Sequence, residues 1–163
     1  MSYVRLLFGY PKIQNKEPFL KKLRELQEEC GCVILALEAE KVVSEKHAAF
    51  AAKKALRAIF ENRNVAKNVS VEILRYASGQ RQIERALSMG ISEATSRVAL
   101  IVVENGTIPE LSDVIDLDDK GPSWNRNAVK EAFEIGDEEI EAVGDDRIPD
   151  LVLERVALVD AYR

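Results

Sequence analysis

The sequence is poor in the residues on which most catalytic and metal chemistry is built. In 163 residues it has one histidine, His47, and two cysteines, Cys30 and Cys32. One histidine supports neither a catalytic triad nor a multi-histidine metal site. A lone C-x-C gives no disulfide framework and falls short of the about four ligands a zinc site needs, so Cys30 and Cys32 are expected to be two small buried residues at the start of a strand. There is no Walker-type loop, no G-x-G-x-x-G after a strand, no G-x-S-x-G and no H-E-x-x-H. Asp116, Asp118 and Asp119 lack the frame and the distant Glu of a calcium loop. Apolar runs reach six residues, as in Val98 to Val103, against the about 20 needed to span a bilayer. The N-terminus has no long apolar stretch behind a basic start, so no signal peptide and a cytoplasmic location are expected. No repeat or low-complexity tract stands out. These absences point away from an enzyme, a metalloprotein, a cofactor carrier or a membrane protein.

What is present suits one compact domain, taken as residues 1–163: 47% apolar and 31% charged residues. The net charge of −5 is unevenly spread. Residues 45–97 carry ten basic and five acidic side chains, whereas residues 98–163 carry six basic and seventeen acidic ones. A basic middle within an acidic chain can hold an anionic partner at one place. The alternative is a set of charges that is simply solvated.

Tyr3 to Tyr10, Cys32 to Glu38 and Arg97 to Glu104 read as strands. A helix opens after Asn15, a candidate cap, and stops at Gly31. Ser44 caps a second helix to about Asn62, with Ala48, Ala51, Ala52, Ala55 and Ile59 inward. A short helix is expected over Ile108 to Ile115, and acidic helices at Asn125 to Phe133 and Asp137 to Ala142. A last amphipathic helix from Pro149 carries Leu151, Val152, Leu153, Val156, Val159 and Tyr162. It is docked on the core or forms a partner surface, with Leu153, Val156 and Val159 the candidate contacts. The class is α/β (α+β): a small mixed sheet of three or more strands packed with helices.

Two stretches carry the functional signal. At 100° per residue, Lys46, Lys53, Lys54 and Arg57 share one helix arc with Phe50 among them. Cations around an aromatic ring suit single-stranded nucleic acid, although such a face can equally be plain solvated surface. Residues 68–90 read as helix, tight turn, helix. Ser78-Gly79 forms the corner, and Met89-Gly90-Ile91 is expected to end the second helix in the same way. The corner gathers Ser78, Gln80, Arg81 and Gln82, more donors than a turn requires, and Arg75 and Arg85 add charge. The alternative for Arg75 and Arg85 is surface solvation or pairing with Glu72 and Glu84.

The run Glu72-Ile-Leu-x-x-Ala-Ser-Gly-Gln-Arg-Gln-Ile, followed by Ala86 and Gly90, resembles the small regulatory, kinase-binding subunit of the KEOPS (EKC) complex in its archaeal form. So do His47-x-x-x-Ala51-x-x-x-Ala55 upstream and the ending Leu153-Glu154-Arg155-Val156-Ala157-Leu158. The resemblance covers about residues 40–103 and is most specific at Ala77 to Ile83. It implies a non-catalytic subunit that binds a small protein-kinase-like ATPase and supports threonylcarbamoyladenosine formation on tRNA. In archaeal-type members it further implies recruitment of tRNA by the single-stranded 3′ CCA end. His47, Ser78, Gly79, Gln80 and Arg81 are carried over from the motif as RNA contacts, with Gln82 beside them. Lys53, Lys54, Arg57 and Arg75 rest on the charge pattern alone. The competing readings are a pure protein-interaction regulator of the kinase and, more remotely, a nucleotide-acting enzyme.

Overall fold

The computed structural model describes residues 3–161. Tyr162, expected to extend the apolar face of the last helix, lies outside the described residues. Strands β1 (Tyr3–Pro11), β2 (Val33–Glu38), β3 (Val98–Glu104) and β4 (Ile115–Asp118) form one sheet in the order β2-β3-β1-β4, every pairing antiparallel. Because β1 and β2 both run against β3, they are parallel to each other. Helix α1 (Lys16–Cys30) is the crossover between them.

Two-residue alternation divides the strands between two cores. Ala99, Ile101 and Val103 of β3, with Leu35 and Leu37 of β2, face one side. Helices α2 (Glu45–Phe60), α3 (Val69–Ser78) and α7 (Ile148–Leu158) cover that side. Leu100 and Val102, with Ile34 and Ala36, face the other side under Phe19, Leu23 and Leu26 of α1. The alanine stripe of α2 is buried at Ala48, Ala51, Ala52 and Ala55, where small side chains let α3 approach closely. Short helices α4 (Ile83–Ala86), α5 (Arg126–Ala132) and α6 (Asp137–Val143) complete the fold. No helix among the described residues is long and apolar enough to cross a membrane.

Several local expectations are corrected. Ile108 to Ile115 forms no helix: the segment leads into β4, whose Ile115–Asp118 pairs with Pro11 to Phe8 of β1. The second corner helix stops at Ala86 and passes through a 3-10 turn, Leu87–Met89. Gly90 is extended (φ −70, ψ 174) rather than left-handed and bridges to Leu37 of β2. The side chain of Asn15 caps nothing, and the Glu93 carboxylate instead accepts from the Lys16 amide at 3.2 Å. Cys30 ends α1 half-buried and Cys32, buried, leads into β2, with Gly31 between them and their Cα atoms 5.3 Å apart.

The sharpest constraint lies at the end of α3. Gly79 is left-handed (φ 68), and its amide and that of Gln80 bond back to Tyr76 and Arg75 carbonyls, the Schellman pattern. A Cβ on Gly79 would stand 2.9 Å from the Cβ of Arg155 in α7, so the corner and the last helix touch through a missing side chain. Gly31 has a similar φ of 65 with open space around it. Gly31→Ala should therefore cost about 1 kcal/mol of backbone strain. Gly79→Ala should cost about 2 kcal/mol more, from overpacking against α7. Denaturant titration of both variants measures the gap, and equal losses would contradict this packing.

Candidate functional site

The buried C-terminus of α3 is held by side chains from elsewhere. Ser44 caps α2 by accepting from the His47 amide at 3.0 Å, which sets the His47 ring beside α3. The Val43 amide donates to His47 Nδ1 at 3.3 Å. An amide can only donate, so Nδ1 accepts, and the proton sits on Nε2, which donates to the Ala77 carbonyl at 2.7 Å. The ring lies edge-on to Phe133, with centroids 5.6 Å apart. Burial lowers the His47 pKa to about 4 against the raising effect of its bond to Ala77, so this imidazole is neutral near pH 7.

A second anchor is Glu72, fully buried on α3. One of its oxygens accepts from the amides of Val65 and Ala66 and from Arg75 Nη1 at 2.8 Å. Arg75 Nε in turn donates to the Arg81 carbonyl at 2.8 Å. A charged pair inside the fold thus fixes the loop before α3 and the corner after it.

Between these two segments opens a pocket of about 510 Å³. Arg63, Arg75, Arg81 and Arg85 line it, with the amides of Gln80 and Gln82 and the single carboxylate of Asp160. Asp160 accepts from Tyr76 Oη at 2.6 Å and from Lys54 Nζ at 2.8 Å, and Arg63 Nη1 stands 3.6 Å away. Burial pushes its carboxyl up, but the bonds from Lys54 and Tyr76 outweigh this and hold it below its usual value. The same surroundings, burial first and then the bond to Asp160, push the Tyr76 phenol up. Gln80 and Arg85 also line a neighbouring pocket of about 440 Å³, so they form the ridge between the two. Among the described residues Arg85 makes no ion pair. The arrangement can take an anionic, hydrogen-bonding ligand: guanidinium groups for phosphates, amides for base edges.

A model of the family described as kinase binding protein CGI-121 matches residues 10–160, nearly the whole chain. The chain belongs to the CGI-121 family. No curated protein matches at significant similarity.

Set against this CGI-121 fold, the residues singled out in the sequence fall into three groups. Gln80, Arg81 and Gln82 line the corner pocket, and Gly79 shapes it. His47, Ser78 and Arg75 are buried, at 1%, 2% and 4% exposure. His47, expected with Ser78 as an RNA contact, bonds the Ala77 carbonyl, and Ser78 Oγ bonds the Arg75 carbonyl at 3.0 Å. Both bonds help to position the corner. The third group lies on α2. Lys54 is held by Asp160 and stands 5.3 Å from the half-buried Phe50 ring, whereas Lys53 and Arg57 are exposed outside the corner pocket. On α7, Val156 and Val159 are buried in the core, leaving Leu153 half-exposed. Arg63, Tyr76 and Asp160 had no signal in the sequence, since a turn and a helix end supply the first and last.

His47 makes acid stability a direct test. Its folded pKa lies below the usual histidine value of about 6.5, so the unfolded chain takes up the proton first. Stability present above about pH 6.5 is then lost as pH falls towards 4, by about 3 kcal/mol. His47→Gln should be less stable at pH 7 yet lose less between pH 6.5 and 4 than the parent protein. Parallel losses in melting experiments would show that His47 titrates normally.

Proposed function

We propose that this CGI-121 family chain is a non-catalytic, archaeal-type regulatory subunit of a KEOPS-like complex. It binds the small kinase-like ATPase subunit and recruits tRNA by its single-stranded 3′ CCA end for threonylcarbamoyladenosine formation. The observation that carries the RNA half is the corner pocket, where Gln80, Arg81, Gln82 and Arg85 face one opening beside a rigid, buried scaffold. Amides read base edges and guanidinium groups hold phosphates or stack, which fits an unpaired RNA end.

The kinase half is supported by the family description and by a separate apolar cleft of about 370 Å³. Ala49 and Phe50 of α2 and Leu153 of α7 form its floor, with Lys46 and Lys53 around it. Leu153 is the proposed partner contact, with Val156 and Val159 packed behind it.

Charge reversal separates this reading from that of a kinase regulator without RNA binding. Arg81→Glu and Arg85→Glu should each weaken tRNA binding at least tenfold while circular dichroism and co-purification with the kinase stay unchanged. Parent binding should weaken with salt at a log–log slope near about −3, as for four phosphate contacts on a single strand. A flat salt dependence together with unaffected variants would leave only the protein-interaction reading.

A further inference from the structure

Phe60, the last residue of α2, is 88% exposed, more than any other large apolar side chain among the described residues. One turn before it stands the exposed Arg57, three positions back and so on the same helix face. Three positions after it comes Arg63, which lines the corner pocket together with Val65, itself 59% exposed. The turn folds back tightly: the Arg63 amide donates to the Ala58 carbonyl at 2.7 Å, and Asn62 takes a positive φ of 58. This turn therefore supplies a wall of the pocket and lies next to the ring. Among the described residues Arg57 makes no ion pair, although Glu61 lies one turn away and bonds to Arg63 instead.

A single exposed apolar side chain is ordinary on a protein surface. An exposed aromatic ring on the helix face of Arg57, three residues before Arg63 of a pocket lined by four arginines, suits an occupant with both a π face and negative charge. Single-stranded nucleic acid has both: bases stack on rings and phosphates meet cations. A protein partner fits this patch less well. Stable interfaces bury about 800 Å² per partner around an apolar centre, whereas this ring is flanked by cations.

We propose that the RNA site extends beyond the corner pocket: Phe60 is a stacking platform, and Arg57 a phosphate contact, for the nucleotides adjoining those held in the pocket. The ligand class is single-stranded RNA longer than the three terminal nucleotides. This rests on the RNA reading above.

Fluorescence anisotropy with single-stranded RNAs of three, five and eight nucleotides, all ending in CCA, tests it on the full chain. Phe60→Ala should lose about fivefold or more in affinity for the longest RNA and nothing for the shortest, with the salt slope unchanged. Phe60→Tyr, which keeps the ring, should bind like the parent. Arg57→Ala should lower the salt slope by about 0.7 on the longest RNA only. Equal affinity of Phe60→Ala and parent for every length would overturn the platform while leaving the pocket reading standing. Loss of kinase co-purification in Phe60→Ala with RNA binding intact would assign the ring to the protein partner and equally overturn it. If the parent binds none of the RNAs, the RNA reading itself falls, and the platform with it.

Discussion

The structure depends on satisfying the buried C-terminus of α3. A helix end leaves carbonyls without intrahelical partners, and in a core no water replaces them. Three of the last four, those of Arg75, Tyr76 and Ala77, have a named partner here. Gly79 and Gln80 turn back onto Tyr76 and Arg75, Ser78 Oγ also bonds Arg75, and His47 Nε2 takes Ala77. Because His47 sits in the first turn of α2, its bond ties the start of one helix to the end of another. Losing such a buried partner costs about 1–3 kcal/mol, so the corner is rigid for a thermodynamic reason.

That scaffold presents a short, largely exposed segment in a fixed place. Residues 80–82 leave a fixed helix end, and Arg75 grips the Arg81 carbonyl while Glu72 balances its charge inside the protein. Two carboxylates, Glu72 and Asp160, engage Arg75, Lys54 and Arg63, so two of the four arginines at the pocket are held by internal partners. The acidic C-terminal third takes part in the scaffold. Glu139 of α6 holds Arg155 through both oxygens, at 2.6 and 2.9 Å, and the Cβ of Arg155 sits where only a glycine fits beside it.

Features set by local chemistry were legible in the sequence. Ser44 as a cap, Gly31 and Gly79 as left-handed stops, the alanine stripe of α2 and the three longer strands all follow from spacing and residue type. Features set by distant partners were not. Asp116 to Asp118 does not look like a strand until β1 offers it hydrogen bonds. The cap of α1 comes from Glu93, far along the chain from Lys16. The partner of His47 was not legible, because Ala77, the carbonyl it serves, lies 30 residues on. The pocket was half legible: Gln80 to Gln82 stood out as surplus donors, but Arg63 and Asp160 join them only through the fold.

The central claim is that the corner formed by Gly79 to Gln82 receives an unpaired RNA end. Its most direct test is the affinity of the purified protein for one tRNA, intact and with the 3′ CCA removed. The account predicts that binding is lost with the CCA. Equal binding to both forms, or to neither, would contradict it.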